Sequence, residues 1–288
     1  MERFRGTVCA VLLAAASLSF PAGGLSAGSA RVYRVSDGRT MSHGEMIQEV
    51  MRAEVLFAGE VHDNIRHHQL QLETIRALND AGVALAIGFE MFPREQQATL
   101  DRWTDGTLSP GEFRSFYEKH WSLPLSLYQD IFSYIREKRI PAVALNVPSD
   151  ISQTVSRSGF LSLTDEQIRR LPPGLGCDLD DQYMEFMRRV YALHQMKERE
   201  FQYFCEMQLL WDKSMAWYLL DYLNRNPKRV VVVITGLRHA WKRGIPSQVR
   251  QFSPKTRYAV LLPEVPGTVR LGGITPADAD YIGLEANP

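Results

Sequence analysis

The stretch Arg229-Val230-Val231-Val232-Val233-Ile234-Thr235 contains five consecutive apolar, β-branched residues. A run of this kind is typical of a strand buried on both faces, as in the centre of a parallel sheet. Gly236-Leu237-Arg238-His239 follows at once. The segment therefore predicts a central strand that ends in a loop carrying an imidazole group.

Further strand-like runs alternate with helix-like segments along the chain. The predicted strands cover residues 32–35, 54–59, 83–89, 142–147, 229–235 and 258–262, and the tail after residue 262 is expected to be irregular. This alternation predicts an α/β protein with a mostly parallel central sheet covered by helices, and with a smaller all-helical inserted domain.

The predicted helices have clear start signals. Ser42 with Glu45 and Ser109 with Glu112 form capping boxes. The helices are expected to cover residues 45–52, 66–79, 94–105, 112–121, 127–138 and 165–170, and residues 180–224 predict either one bent helix or two. The predicted domain division is an α/β domain of residues 31–160 and 227–288, with a helical subdomain of residues 161–226.

Residues 1–30 resemble a secretory signal peptide. Arg3 and Arg5 precede an apolar and small-residue run over residues 8–20, and cleavage is expected after Ala27 or Ala30. Cys9 lies in front of the apolar run instead of behind it, which argues against a lipoprotein. We expect a periplasmic protein, and the alternative is a helix that stays in the membrane.

Bulk composition excludes some partners. The 288 residues contain 33 Lys plus Arg and 33 Asp plus Glu, so no net charge attracts nucleic acid. A glycine-rich nucleotide loop and a GxSxG nucleophile motif are both absent from the sequence. After signal cleavage, Cys177 and Cys205 remain, and they form either a disulfide or two separate thiols.

Acidic and imidazole side chains follow the predicted strands. Glu60 and His62 share one face because they are two residues apart, Glu90 and Asn146 end two other strands, and His239 follows the fourth. Parallel strands bring these residues to one edge of the sheet. Glu60, His62, Glu90 and His239 would suit zinc or manganese, would equally suit acid–base catalysis, or would only pair with one another as structure.

Two other groups of residues suggest ligand binding. His67 and His68 lie in the first turn of a predicted helix, where they either meet an anion or face solvent. Tyr183, Met187, Tyr191 and His194 share one helix face, and Tyr203, Met207, Trp211 and Met215 continue a similar stripe. Such side chains suit a haem group, and they equally suit plain helix–helix packing.

The chain resembles the ChaN-like haem-binding proteins of the Tiki superfamily over about residues 40–262. The resemblance is carried by these segments, in order: Gly59-Glu60-Val61-His62-Asp63-Asn64, His67-His68, Gly88-Phe89-Glu90-Met91, Gln208-Leu209-Leu210-Trp211-Asp212-Lys213-Ser214-Met215-Ala216, Gly236 to His239, and Gly244-Ile245-Pro246. Several motifs recurring in one order make the resemblance fairly specific.

The resemblance implies an exported protein of bacterial haem and iron uptake, with an α/β domain and a smaller helical domain. It implies haem held between two copies, hence a homodimer, and envelope haem-transport components as partners. This chain departs from the family in lacking a lipobox and in placing the bulky cation Arg238 before His239, where it could pair with a haem propionate. Tyr191 and His194 are the candidate axial ligands.

The sequence is also compatible with two alternatives to haem binding. The wider superfamily includes presumed metal-dependent proteases and ester-cleaving enzymes, which implies a hydrolase whose metal is held by Glu60, His62, Glu90 and His239. The other alternative is an envelope scaffold in which the same residues are structural only.

Overall fold

The structure, a computed structural model, describes residues 31–179, 181–190 and 197–284. Within these residues one sheet of eight strands has the order β2-β1-β8-β7-β3-β6-β4-β5. The strands are β1 (Arg31–Arg34), β2 (Arg39–Ser42), β3 (Val55–Glu60), β4 (Leu85–Pro93), β5 (Ala142–Asn146), β6 (Val230–Gly236), β7 (Tyr258–Pro263) and β8 (Tyr281–Leu284). The signal-peptide prediction for residues 1–30 lies outside the described residues.

Most neighbouring strands are parallel. β3 lies between β6 and β7, β4 lies between β5 and β6, and all four of these pairings are parallel, as is β7 with β8. β1 pairs antiparallel with β2 and β8. The predicted mostly parallel α/β sheet is confirmed, and the apolar run of residues 230–234 lies in the inner strand β6.

Helices cover both faces of the sheet. They are α1 (His43–Val50), α2 (Ile65–Asp80), α3 (Gln97–Thr104), α4 (Pro110–His120), α5 (Gln129–Glu137), α6 (Ser149–Ser158), α7 (Asp165–Arg169), α8 (Asp181–Val190), α9 (Glu198–Arg225), α10 (Leu237–Ala240) and α11 (Ile245–Phe252). Both predicted capping boxes form, at Ser42 with Glu45 and at Ser109 with Glu112. None of the helices in the described ranges combines the length and apolarity needed to cross a bilayer.

Alternate residues of the strands pack on opposite layers. In β6, Val232 and Ile234 join an apolar cluster with helices α1 to α5, whereas Val231 and Val233 join a second cluster with α9 and α11. Burial of both faces explains why the strand is apolar throughout. The long helix of the predicted helical subdomain therefore packs directly on the sheet, and the boundaries at residues 161 and 226 stay predictions.

Some elements differ from the sequence expectation. The tail is not irregular throughout, because Tyr281–Leu284 forms β8 between β1 and β7. Four residues are too few to show a clear alternation of apolar and polar side chains. The strands that pair with β8 are also partly distant in the sequence, so β8 could not be recognised from local sequence alone. Residues 180–224 give two helices in the described ranges, and α6 and α11 have no sequence prediction. Cys177 and Cys205 are free thiols, and the Cys177 thiol donates to the Glu206 carbonyl.

Candidate functional site

The carboxyl ends of three neighbouring strands carry the candidate site. β3 ends at Glu60, β6 ends at Gly236, and Glu90 lies near the end of β4. Residues 237–240 turn into α10 immediately after β6 and place His239 at the same edge. The structure thus brings Glu60, Glu90 and His239 together although they are far apart in sequence.

Glu60 is a buried carboxylate with several donors around it. Its Oε1 accepts hydrogen bonds from the Tyr128 hydroxyl and from His62 Nδ1, the latter at 2.9 Å. Its Oε2 lies 3.3 Å from His68 Nε2. Burial alone would raise the pKa of Glu60, but the bonds from His62, His68 and Tyr128 outweigh it and lower the pKa to about 2. Glu60 is therefore ionised at neutral pH.

Tyr128 is a site residue that sequence reasoning missed. It lies just before α5 and is fully buried. Burial and the negative charge of Glu60 raise the pKa of the Tyr128 hydroxyl, so the hydroxyl stays protonated and donates to the carboxylate. No sequence motif marks it, because its position depends on how the segment after α4 packs against β3.

Glu90 is held by the end of the neighbouring strand. Its Oε2 accepts from the Thr235 hydroxyl at 2.5 Å and from the Gly236 backbone N–H at 2.6 Å. Its Oε1 lies 3.9 Å from His239 Nε2. Asn146, predicted at the end of β5, donates its side-chain amide to the Glu90 carbonyl at 2.8 Å. Asn146 thus contacts the backbone of β4, whereas the Glu90 carboxylate is held by residues at the end of β6.

His239 forms a second histidine–carboxylate pair. Its Nδ1 lies 2.6 Å from Asp212 Oδ1, and both side chains are buried. Burial would lower the pKa of His239, but the charges of Asp212 and Glu90 outweigh it and raise the pKa to about 9. Burial also raises the pKa of Asp212. The His239–Asp212 pair therefore keeps a proton at neutral pH. Asp212 belongs to a segment that carries the family resemblance, which is the one sequence signal for it.

The two pairs share one crevice. His62 and His239 each direct Nδ1 to a buried carboxylate, which fixes the ring and turns Nε2 away from that carboxylate. The side chain of His62 is 38% exposed, whereas that of His239 is 8% exposed. Burial would lower the pKa of His62, but the Glu60 bond and the charge of Glu90 raise it. His62 is therefore the accessible member and His239 the enclosed one.

Tryptophan rings lie beside both histidines. The Trp121 ring meets His62 edge-on at 5.1 Å between ring centres, and the Trp211 ring meets His239 at 5.8 Å. Each indole is partly exposed. The crevice thus combines two oriented imidazoles with aromatic surface that a flat ligand could contact.

The predicted metal site is not supported. In the described part of the chain, no group of three or more His, Cys, Asp or Glu side chains could hold a metal ion. The physical reason is that Glu60 is turned to His62, His68 and Tyr128, while Glu90 is turned to Thr235 and Gly236. Glu60, His62, Glu90 and His239 lie at one edge, but their donor atoms do not converge as zinc or manganese requires.

The remaining predicted ligand residues differ in their placement. His67 is buried, with Nδ1 accepting from the Val61 backbone N–H at 2.9 Å and Nε2 lying 3.0 Å from the Asn64 side chain. His68 is buried between Glu60 and the Leu127 carbonyl. Both rings are buried and contact other parts of the protein, so they occupy neither of the two positions considered from the sequence, which were contact with an anion and exposure to solvent. Arg238 is half-buried, and its charge opposes, without outweighing, the causes that raise the pKa of His239. Tyr191 and His194 lie outside the described residues.

Gly236 lies in close contact with the ring of His62 at the end of β6. A Cβ atom at this position would lie 2.8 Å from His62 Cε1, 2.9 Å from His62 Nε2 and 3.6 Å from Glu90 Oε2. Contacts below 3 Å force a neighbouring group to move. Only glycine therefore lets the His62 ring lie against the end of β6.

We predict that Gly236→Ala displaces the His62 ring and destabilises the protein by about 1–3 kcal/mol, the usual cost of overpacking. Urea denaturation gives the change in the free energy of unfolding. Gly111→Ala is the matched control, because a Cβ there meets nothing within 4 Å. Equal stability of the two variants would contradict the close approach of His62.

Fold and site together define an α/β protein whose mostly parallel sheet carries two histidine–carboxylate pairs at its carboxyl edge. The family model described as haem-binding uptake, Tiki superfamily, ChaN matches residues 46–249. Because this match spans more than half of the chain, the protein belongs to that family. The resemblance drawn from the sequence motifs is confirmed.

Two solved structures have a fold similar to that of this chain. The chain is similar to ChaN of Campylobacter jejuni, described for cofacial heme binding, with 17% identity, a TM-score of 0.71, and coverage of 89% of this chain and 96% of that one. It is similar to a mutant of the erythromycin esterase EreC, with 12% identity, a TM-score of 0.50, and coverage of 81% and 76%. These likenesses show the fold.

The curated relative is the chloroplastic protein RETICULATA-RELATED 5 of Arabidopsis thaliana. It is 22% identical over 283 residues, which cover 90% of this chain. The same match covers 38% of the plant protein, so this chain spans well under half of that relative's length.

Proposed function

We propose that this protein binds haem. The family match over residues 46–249 carries the proposal. The description of C. jejuni ChaN, a protein of the same fold, names cofacial heme binding and supports it. A bound haem would supply an iron with axial positions for protein ligands and two apolar faces.

The residues of the crevice fit such a group. A histidine that binds iron generally donates its other ring N–H to a carboxylate, as His62 does towards Glu60 at 2.9 Å. The partly exposed indoles of Trp121 and Trp211 offer apolar surface beside the two histidines. His62 therefore joins Tyr191 and His194 as a candidate axial ligand, and it is the one of the three whose side chain the structure describes.

We expect stoichiometric haem to give a Soret band with the protein, and an axial ligand variant to shift or weaken it. His62→Ala, Tyr191→Phe and His194→Ala are the variants to compare in an absorption titration. Loss of a direct iron ligand should weaken haem binding by at least about tenfold to 100-fold, because disturbing only the residues that support a metal ligand already costs that much.

His120→Ala is the matched control for that titration, because His120 is a partly exposed histidine on α4 that forms no part of the crevice. Its spectrum should equal that of the unmodified protein. A protein that shows no spectral change with one equivalent of haem would overturn the proposal. A change that survives all three ligand variants would overturn this choice of ligands.

Export and a role in bacterial haem and iron uptake are further parts of the proposal. The charged start, apolar run and small-residue stretch within residues 1–30 support export to the periplasm, and the family's description names uptake. Fusion of residues 1–30 to alkaline phosphatase in a bacterial host tests export. Phosphatase activity is expected only if the segment directs secretion, and an inactive fusion would contradict it.

We also propose that haem brings two copies of the chain together, with envelope haem-transport components as partners. The cofacial haem arrangement named for C. jejuni ChaN supports this, since two stacked haems suit two facing protein copies. Light scattering with and without haem should show a doubling of mass. A constant monomer mass at saturating haem would contradict the dimer.

A second candidate function is hydrolysis without a metal. The specific observation in its favour is that His62 and His239, each backed by a buried carboxylate, lie at one crevice with Glu90 beside them. An imidazole oriented in this way can act as a general base towards water. The erythromycin esterase EreC shares the fold, which supports testing ester substrates.

We predict that any ester or peptide hydrolysis by the protein withstands a chelator and falls at least about 100-fold in His62→Gln. Initial rates over a panel of esters measure this, with His120→Gln as the control. Hydrolysis that stops on chelation would contradict the metal-free reaction. Activity that is unchanged in His62→Gln would remove His62 from it.

A further inference from the structure

A cavity lies beside α9, and its described lining residues do not include His62 or His239 of the sheet-edge crevice. Its volume is about 760 Å³, within the range of small-molecule sites. It lies among α8, α9, α11 and the loop near residue 276. The lining residues are Asp178, Tyr183, Leu209, Lys213, Lys242, Arg243, Ser247, Gln248, Arg250, Gln251, Pro276 and Ala277.

The cavity is strongly cationic. Lys213, Lys242, Arg243 and Arg250 line it, and Asp178 is the one carboxylate among its described lining residues. Lys242 forms an ion pair with Asp280, at 2.6 Å, outside the lining. Among the described residues, cations therefore outnumber carboxylates even when Asp280 is included, and the excess of positive charge favours an anionic occupant.

Two of these cations are held in place by neutral groups. Lys213 donates to the Gly176 carbonyl at 2.8 Å, and Arg250 donates to the Tyr258 hydroxyl at 2.6 Å. A carbonyl and a hydroxyl orient the side chains without cancelling their charge. Both cations therefore keep their full charge and their attraction for an anion.

The character of the lining separates this cavity from a porphyrin site. Ser247, Gln248 and Gln251 add polar groups on one helix, whereas few apolar side chains, such as Leu209, reach the cavity. The flat faces of a haem need apolar and aromatic surface. The lining suits instead the charged groups of a polar molecule.

Tyr183 connects the cavity with the crevice. It lines the cavity and also interacts with Asp212, the carboxylate partner of His239. Leu209 and Lys213 lie on the same helix as Asp212, one turn or less away. An occupant of the cavity would therefore lie next to the residues that hold the second histidine–carboxylate pair.

We propose that this cavity binds a multivalent anion bearing carboxylate or phosphate groups, through Lys213, Lys242, Arg243 and Arg250. The anion is either a free small molecule or the propionate end of a larger ligand. The anion site stands on this charge and geometry and does not require that the protein bind haem.

Calorimetric titration with citrate and with inorganic pyrophosphate tests the site directly. We expect saturable binding that weakens as ionic strength rises, because screening reduces attraction between partly exposed charges. Lys213→Met and Arg250→Met should each weaken binding about tenfold, the loss expected when one charge-assisted hydrogen bond is removed. Lys119→Met removes a lysine from the exposed surface of α4 and is the control.

A parallel titration distinguishes the two sources of the anion. If haem propionates occupy the cavity, the variants weaken binding of haem but not of its dimethyl ester. If a free anion occupies it, the variants weaken binding of citrate or pyrophosphate and leave haem unchanged. Lys213→Met and Arg250→Met also lose the contacts with Gly176 and Tyr258. If that loss destabilises either variant, Arg243→Met is used as a further variant. Binding of neither anion, with haem binding equal in every variant, would overturn the proposal.

Discussion

Glu60→Ala is expected to lower the free energy of unfolding by about 3 kcal/mol or more, because removing one partner leaves the others buried without it. The carboxylate accepts from Tyr128 and His62 and lies 3.3 Å from His68. Tyr128 and His68 are buried, so water cannot replace the lost acceptor without opening the fold. Urea denaturation at neutral pH measures the loss.

Comparison variants make this prediction sharp. Glu60→Gln keeps the size of the side chain but removes the charge and one acceptor, so its loss should be smaller than that of Glu60→Ala. Glu73→Ala on the exposed face of α2 removes a carboxylate of the same type from water and should change stability by less than about 0.5 kcal/mol. A Glu60→Ala protein as stable as the Glu73→Ala protein would show that the buried network contributes nothing.

The pH dependence of this contribution has a definite sign. The pKa of Glu60 is lowered from 4.5 to about 2 on folding. A lowered carboxyl pKa adds stability that is present above pH 4.5 and is lost as the pH falls through 2. As the pH falls, the free energy of unfolding should therefore decrease more steeply in the unmodified protein than in Glu60→Gln. Equal pH dependence in the two proteins would contradict the lowered pKa.

The sheet edge could be predicted because it depends on local pattern. Apolar runs identify the strands that end at Glu60 and Gly236, and parallel pairing then brings Glu60, Glu90 and His239 to one edge. The family resemblance rests on the same segments. Both the class of fold and the location of the crevice thus follow from residues next to the strands.

The partners of these residues could not be predicted in the same way. Tyr128 and Asp212 come from helical regions, and nothing local indicates that they meet Glu60 and His239. The metal expectation fails for the same reason, because these partners and the β6 backbone take up the carboxylate oxygens. Residue type at a strand end thus predicts where polar groups gather, and tertiary packing decides which atoms they present.

Asp212→Asn is expected to lower the pKa of His239 from about 9 to near or below its ordinary value of 6.5. The buried carboxylate, 2.6 Å from Nδ1, supplies the largest attraction that opposes the effect of burial on the imidazolium. When that attraction is removed, burial favours the neutral ring. Nitrogen-15 NMR of labelled histidine measures the change, and His239→Gln identifies the signal.

The free energy of unfolding should depend on pH through the same titration of His239. A raised histidine pKa adds stability that is complete below pH 6.5 and is lost as the pH rises through about 9. A difference from 6.5 to about 9 corresponds to about 3 kcal/mol between those limits. Denaturation measured at several pH values should show this decline in the unmodified protein and a flatter profile in Asp212→Asn.

His62 provides the internal control for the Asp212→Asn experiment. Its pKa is raised chiefly by a different carboxylate, Glu60, and the charge of His239 lowers it as the smallest of the named causes, so its signal should shift much less than that of His239. A His239 that titrates near 6.5 before any substitution would show that the pair does not hold its proton. A His62 signal that moves as far as that of His239 would show that the two histidine–carboxylate pairs act as one coupled network.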